Sequence, residues 1–126
     1  MILAASRQSR VFAYAAPVDL RKGYDGLFGL VQRDLKQDPL SGDLFLFANR
    51  RRNACKVLLW DGSGLCIFQK RLERGQFASL WRQDGGSVEL TTSELALFIE
   101  GCELVGTRSL SPRRIELKPL AEQIVV

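Results

Sequence analysis

The sequence predicts an α+β fold: a single small domain, residues 1–126, in which an antiparallel β-meander is packed with two helices. Three β-rich runs follow one another between residues 43 and 72, with a helical pattern before them and another after them. Both parities are apolar in Leu44-Phe-Leu-Phe47 and in Val57-Leu-Leu-Trp60. A strand of this kind is covered on both faces, so two helices are needed, one for each face of the sheet.

The elements before the meander are a short strand and a long helix. Residues 11–15 form a β-prone run that Pro17 ends. Apolar residues then recur at helical spacing and predict a helix over about 20–36. They are Tyr24, Leu27, Phe28, Val31 and Leu35.

The first helix contains an unusual set of small and basic residues. Gly23, Gly26 and Gly29 recur every third residue, and each costs roughly 1 kcal/mol relative to Ala inside a helix. Arg21 and Lys22 lie at the predicted start, where the helix dipole prefers acidic groups. Two interpretations stay open: tight packing of the glycines on the sheet with the cations paired to nearby aspartates, or an anion site at the helix start.

The meander consists of strands over 43–48, 54–60 and 65–72, joined by turns at 49–53 and 61–64. Pairing Trp60 with Leu65 across the second turn places Lys56 opposite Gln69 and Cys55 opposite Lys70. Alternation then assigns two faces. The first carries Leu58, Trp60 and Ile67, and the second carries Val57, Leu59 and Phe68. If Trp60 is fully buried, truncating it to Ala should cost about 3 to 5 kcal/mol.

The second helix is predicted over Thr92–Glu100. Thr91 and Glu94 match a capping box, and Gly101 is a typical helix stop. The apolar stripe of this helix is Leu95, Phe98 and Ile99.

Basic residues are concentrated at one end of the predicted meander. Arg50, Arg51 and Arg52 occupy the first turn, and the strand register brings Lys70 and Arg71 to the same end, with Arg74 just beyond. Three interpretations stay open: a solvated hairpin tip, contact with a nucleic-acid backbone, or contact with an acidic protein surface. The candidate nucleic-acid contacts are Arg21, Lys22, Arg50, Arg51, Arg52, Lys56, Lys70, Arg71 and Arg74.

Catalysis is disfavoured by the residue inventory. The chain has no histidine, which removes the usual general base near neutral pH and the commonest metal ligand. No Walker-type loop and no Cys-x-x-Cys pair occurs, and Glu116-Leu-Lys118 alone is a weak match to a nuclease motif. The sequence predicts a binding module with no catalytic residue, no metal site and no cofactor.

The cysteines and the apolar runs indicate the compartment. Cys55, Cys66 and Cys102 are odd in number, widely spaced and set among apolar neighbours, which is typical of buried free thiols in a reducing environment. No run approaches the ~20 apolar residues of a membrane span, and the amino terminus lacks the apolar core of a signal peptide. A cytoplasmic protein without membrane association is therefore expected.

Four motifs carry a resemblance to a known family. They are Pro17-Val-Asp-Leu-Arg-Lys-Gly-Tyr-Asp-Gly-Leu27, Asp38-Pro-Leu-Ser-Gly-Asp-Leu-Phe-Leu-Phe47, Lys56-Val-Leu-Leu-Trp-Asp-Gly-Ser-Gly-Leu65 and Lys70-Arg-Leu-Glu-Arg-Gly-Gln-Phe77. In this order and spacing they resemble the Orf2-like accessory proteins, of the TnpB type, of bacterial insertion sequences of the sixty-six family. The resemblance covers about residues 11–103. The sequence departs from the family pattern after Phe77 and after Gly101, and the tail of about 104–126 lies outside the match.

The resemblance implies an accessory protein of transposition, encoded beside a transposase of the Asp-Asp-Glu type and without established chemistry of its own. Combined with the basic residues, it predicts binding to the DNA backbone at the element ends and assistance in assembling the transposase complex. The alternative is a protein adaptor that holds the transposase through the rim of the sheet and Trp81, without direct DNA binding. A homo-oligomer is left open. If all three arginines of the first turn contact phosphates, replacing them should make the salt dependence of binding shallower by roughly 2.7.

Overall fold

The fold is seen in a computed structural model that describes residues 9–101. It contains a five-stranded sheet in the order β4-β3-β2-β1-β5, flanked by two helices. The strands are β1 (Val11–Tyr14), β2 (Leu44–Ala48), β3 (Ala54–Trp60), β4 (Leu65–Arg71) and β5 (Ser87–Leu90). The helices are α1 (Tyr24–Gly29), which continues into a π-helical segment (Leu30–Asp34), and α2 (Thr92–Glu100). The predicted α+β class is confirmed.

The antiparallel meander β2-β3-β4 forms, and β3 and β4 pair in the predicted register. Lys56 lies opposite Gln69, Cys55 opposite Lys70, and Trp60 opposite Leu65. The β3–β4 hairpin is local in sequence, so its turn position and the alternation were sufficient to fix its pairing. The carboxyl end of β2, the start of β3 and the end of β4 therefore lie at the same end of the sheet, which we call the basic end.

The sheet is mixed and larger than a meander. β1 pairs in parallel with β2, and β5 pairs antiparallel with β1, with Phe12 opposite Glu89. Strand β5 was not predicted from the sequence, because four residues following Gly85 and Gly86 give too short an alternation to identify a strand. Its pairing partner is more than 70 positions away, so no local turn indicates it.

The helices cover opposite faces of the sheet, as predicted. On the α1 face, Leu27, Val31 and Leu35 pack with the strand residues Phe45 and Leu58. On the α2 face, a larger cluster contains residues of all the strands together with the apolar residues of α2 and of segment 77–80. In this cluster the rings of Phe77 and Phe98 are stacked with their centroids 4.8 Å apart.

Helix α1 begins later than the sequence pattern predicted. Residues 19–22 form a turn in which the Lys22 N–H donates to the Asp19 carbonyl at 3.1 Å, and Gly23 is the residue before the helix. The Leu35 N–H donates to the Leu30 carbonyl, five positions back, which is the π-helical pattern. Gly26 faces the Lys22 side chain, where an added Cβ would lie 2.9 Å from the Lys22 Cβ.

The prediction for α2 is confirmed in detail. The Glu94 N–H donates to the Thr91 Oγ1 at 3.0 Å, and the Glu94 carboxylate accepts from the Thr91 N–H at 2.8 Å. Gly101 has a φ of 73° and its N–H donates to the Phe98 carbonyl. An added Cβ at Gly101 would lie 2.9 Å from Leu72, so packing as well as conformation favours glycine there.

Two predictions about buried side chains need correction. Trp60 is only partly buried and belongs to neither core cluster, because it lies at the last position of β3, whereas Leu58 and Ile67 pack on the α1 face as predicted. Cys55 is a buried free thiol, but Cys66 on the outer strand is only partly buried. Cys102 and the tail from 104 onward, including the Glu116 tripeptide, lie outside the described residues.

No helix between residues 9 and 101 combines the length and the apolar character that crossing a bilayer requires.

Candidate nucleic-acid interface

The loop of residues 49–53, which we call the arginine loop, is a well-braced turn at the basic end. The Arg52 N–H donates to the Asn49 carbonyl at 2.9 Å and closes the turn. The Asn49 side-chain oxygen accepts from the N–H groups of Asn53 and Ala54, and its amide group donates to the Asn53 side chain at 2.7 Å. Asparagines at both ends of the arginine run therefore satisfy the loop's own backbone.

The three consecutive arginines have different surroundings. Arg50 and Arg51 occupy the two central positions of the turn and are exposed. Arg52 has a φ of 57°, and its guanidinium group donates to the Phe77 carbonyl at 3.0 Å and to the Gln76 side chain at 3.2 Å. Arg52 therefore differs from its two neighbours, because its guanidinium group is bonded within the fold.

The segment of residues 72–77 packs along the arginine loop. The Leu72 N–H donates to the Asn53 carbonyl at 2.7 Å, and the Phe77 N–H donates to the Arg52 carbonyl at 2.6 Å. The Gln76 side chain also donates to the Arg51 carbonyl at 3.0 Å. These bonds fix the loop between two parts of the chain, so Arg50 and Arg51 are presented by a preorganised support.

An open groove of about 520 Å³ lies on one side of the arginine loop. One wall is the segment 17–21. This segment is held against β2 because the Val18 N–H donates to the Ala48 carbonyl at 2.9 Å. The other wall is Asn49, Arg50 and Arg51. Three guanidinium groups and one carboxylate line this first groove, so its net charge is +2.

The carboxylate in the first groove is paired with one of the arginines. Arg21 donates to Asp19 through Nε and through Nη2, the latter at 2.7 Å. The hydrogen bond from Arg21 holds the pKa of Asp19 well below its usual range. This is the pairing that the non-binding interpretation predicted for Arg21, and it leaves the guanidinium of Arg21 largely exposed at the rim of the groove.

A second open groove of about 530 Å³ lies on the other side of the same loop. Asn49 and Arg51 contribute to its lining again, together with residues of β3 and β4, among them Gln69 and Arg71. Two guanidinium groups and no carboxylate line it. Arg51 is therefore shared by two positively charged grooves.

Two lysines predicted as nucleic-acid contacts attach the helices to the sheet. Lys56 is 9% exposed, and its ammonium group donates to the Lys22 carbonyl at 2.9 Å just before α1. Lys70 donates to the Ile99 carbonyl at 2.8 Å in the last turn of α2. They lie on opposite faces because their strand positions have opposite parity. Neither lines the two grooves, and the expectation that these two lysines contact DNA stays a prediction.

The remaining predicted contacts lie near the grooves without lining them. Lys22 and Arg74 are both exposed. Lys22 follows the wall of the first groove directly, and Arg74 lies in the segment that packs along the arginine loop.

Several groove residues were not predicted from the sequence. The turn prediction gives Asn49 no role of its own, although its position at the start of the arginine run is a signal for a loop-closing side chain. Gln69 and the segment 17–20 carry no local signal. They reach the arginine loop only because β1 pairs with β2 and β4 pairs with β3.

Among residues 9–101, no group of three or more His, Cys, Asp or Glu side chains is arranged to hold a metal ion. Asp61 accepts hydrogen bonds from the N–H groups of Ser63 and Gly64, which lower its pKa and commit it to the β3–β4 turn. The Cys66 thiol also donates to Asp61, and partial burial together with this bond raises the pKa of Cys66.

Comparison with known proteins identifies the family. The model of a family described as IS66 Orf2-like protein matches residues 9–109, which include the whole described fold. Two proteins of Sinorhizobium fredii (strain NBRC 101917 / NGR234) are also similar. The uncharacterized protein y4hO is 35% identical over 103 residues, covering 81% of this chain and 88% of that protein. The uncharacterized protein y4jC is 34% identical over 102 residues, covering 81% and 86%.

No solved structure matches the chain. The family match extends over most of the sequence, and the two relatives align over most of their own lengths. The resemblance inferred from the four motifs is therefore confirmed: the chain belongs to the IS66 Orf2-like family of accessory proteins of transposition.

Proposed function

We propose that this accessory protein binds the DNA backbone at its basic end, without catalysing a reaction, and so helps to assemble the transposase on the ends of the IS66 element. The observation that carries the proposal is the pair of arginine-lined grooves on either side of the arginine loop. Four guanidinium groups line them, those of Arg21, Arg50, Arg51 and Arg71. A guanidinium group matches the geometry of a phosphate, which it can bind through two parallel hydrogen bonds.

The groove arginines are available to an external anion. Within residues 9–101, the side chains of Arg50, Arg51 and Arg71 form no hydrogen bond and no ion pair. Arg21 is the exception, since it is paired with Asp19. Phosphate contacts would supply partners that these three side chains do not have among residues 9–101, and they would position the DNA without reading its sequence.

The proposal is tested by DNA binding of matched variants. Replacing Arg50 and Arg51 together by Ala should weaken binding to element-end DNA and to unrelated DNA of the same A·T content by a similar factor. Arg33→Ala removes one exposed positive charge outside the two grooves and serves as the control for net charge. The grooves are not the interface if the double variant binds DNA like the wild type. They are also not the interface if Arg33→Ala loses as much affinity for each positive charge removed as the double variant does.

The non-catalytic part of the proposal has its own test. The chain contains no histidine, and Asp61 is occupied by the β3–β4 turn. Purified protein incubated with element-end DNA and Mg²⁺ or Mn²⁺ should produce neither nicks nor joined products. Reproducible cleavage that disappears in Asp61→Ala would show that the protein is an enzyme.

A second candidate function is an adaptor that binds the transposase directly. One observation favours it: β4 is an outer strand of seven residues, and its apolar residues Leu65, Ile67 and Phe68 are only partly buried. An outer strand of this kind can add a strand from a partner protein. Capture of the transposase that survives Arg50→Ala with Arg51→Ala, but is lost in an Ile67→Lys variant whose thermal denaturation matches the wild type, would support the adaptor.

A further inference from the structure

Arg51 has a position that neither neighbouring arginine shares. It lines both grooves, whereas Arg50 lines only the first and the guanidinium of Arg52 is bonded to Phe77 and Gln76. The two grooves have nearly equal volumes, about 520 and 530 Å³, and both are open to solvent and positively charged. The turn of the arginine loop is therefore a ridge with a basic groove on each side.

We infer that Arg51 enters the minor groove of duplex DNA, with one sugar-phosphate backbone in each of the two flanking grooves. The inference rests on the proposed function, since it assumes that the grooves hold phosphates. Two backbones about 6 Å apart border the minor groove of B-DNA. A narrow ridge inserted there has phosphates on both sides, and the structure places guanidinium groups on both sides of Arg51.

The dimensions of the ridge favour the minor groove. The major groove, about 12 Å wide, accommodates a helix or a two-stranded ribbon. The ridge is only the corner of one turn, closed by the hydrogen bond from Arg52 to Asn49. The hydrogen bonds of the Asn49 side chain hold this corner in place, so inserting it requires little further ordering of the loop.

The lining of the grooves favours duplex over single-stranded DNA. Proteins that bind single strands stack the bases on aromatic side chains. No aromatic residue lines either groove, and the lining consists of arginines, small apolar residues and amide side chains, with Asp19 paired to Arg21. The grooves therefore offer charge for backbones but no surface on which an unpaired base stacks.

The ligand class follows from the geometry of the minor groove. A·T-rich duplexes have a narrow minor groove with enhanced negative potential, and this potential attracts inserted arginines. The preferred ligand is accordingly an A·T-rich duplex segment recognised by shape. Arg51 would supply that preference, while Arg21, Arg50 and Arg71 would supply affinity without discrimination between sequences.

The test compares two duplexes of equal length, one A·T-rich and one G·C-rich, with a single strand of the same length. The wild-type protein should bind the A·T-rich duplex about fivefold or more tighter than the other two, as expected for an arginine in a narrow minor groove. Netropsin, which occupies the minor groove of A·T-rich DNA, should displace the protein. Arg51→Ala should remove the preference between duplexes, whereas Arg50→Ala should weaken binding to both duplexes and keep the preference.

The outcomes distinguish failure of the minor-groove inference from failure of the proposed DNA-backbone binding. If the protein binds both duplexes equally, ignores netropsin, or loses no more selectivity in Arg51→Ala than in Arg50→Ala, the minor-groove inference is wrong while backbone binding stands. Tighter binding to the single strand also overturns it. If no DNA is bound at low salt, the proposed function fails together with the inference. Thermal denaturation of each variant confirms that the exposed substitutions leave the fold intact.

Discussion

Replacing Arg52 by Ala should destabilise the protein, although the residue directly follows two exposed arginines in the same turn. The substitution removes a partly buried hydrogen bond to the Phe77 carbonyl and an exposed one to Gln76. A hydrogen bond from a charged donor contributes about 1.5 to 3 kcal/mol, and the exposed bond contributes less, so we expect a loss of about 2 kcal/mol. At about 2.1 cal/mol/K per residue, this chain should then unfold roughly 7 °C lower.

The backbone of Arg52 separates two effects of the substitution. Its φ of 57° lies in the left-handed region, which costs a residue with a Cβ about 1 kcal/mol relative to glycine. Arg52→Gly removes the same hydrogen bonds but relieves this cost. We therefore expect Arg52→Gly to unfold at a temperature between those of the wild type and Arg52→Ala.

The assay is thermal denaturation followed by circular dichroism, with Arg50→Ala and Arg51→Ala as matched controls. Both controls are exposed and should stay within about 0.5 kcal/mol of the wild type, or roughly 2 °C. A stabilising role for the Arg52 side chain is refuted if Arg52→Ala unfolds within that same margin. Lower stability of Arg52→Gly than of Arg52→Ala would refute the backbone contribution.

Three further predictions concern the scaffold. Thr91→Ala removes one half of the capping box of α2 and should cost about 1 kcal/mol in urea denaturation, whereas Thr91→Ser should cost little. Burial, with a hydrogen bond to Asp34, raises the pKa of Tyr14 to about 12, above the ordinary value near 10. The folded state therefore favours the neutral phenol, and this preference contributes to the free energy of unfolding in full below pH 10. The contribution should be lost as pH rises from 10 to 12. The variant Tyr14→Phe, which has no phenol to ionise, should lose less stability over the same interval. Trp60→Ala should cost about 1 to 2 kcal/mol, less than the 3 to 5 kcal/mol of a fully buried aromatic, and a larger loss would show that the ring is buried.

The parts of the fold that could be predicted from the sequence are those with local signals. The register of β3 and β4 followed from a four-residue turn and from alternation, and α2 followed from Thr91, Glu94 and Gly101. The apolar spacing predicts a start near residue 20, but α1 begins at Tyr24, because the spacing does not show that residues 19–22 form a turn around Asp19. Strand β5 was missed because its pairing with β1 is distant in sequence.

The sequence predicts where the basic residues of the candidate site lie, but not what each side chain contacts there. Strand register correctly brought Arg71 to the end of the sheet that carries the arginine loop. Parity also separates Lys56 from Lys70, yet it does not reveal that each ammonium is bonded to a carbonyl near a helix end. Such bonds depend on where α1 and α2 cross the sheet, and a single sequence does not contain that information.

Counting the arginines in the arginine loop overestimates the number of phosphates that the loop can bind. Consecutive residues of a tight turn point in different directions, so three adjacent arginines do not all face one surface. Here Arg52 faces Phe77, while Arg50 and Arg51 face solvent. Each phosphate charge neutralised contributes about −0.9 to the slope of log K against log[salt], and of the three arginines only Arg50 and Arg51 face solvent. Replacing all three arginines should therefore make the slope shallower by roughly 1.8, not 2.7. The double replacement of Arg50 and Arg51 should produce the same change. A slope change near 2.7 that appears only in the triple variant would show that Arg52 leaves Phe77 to bind DNA.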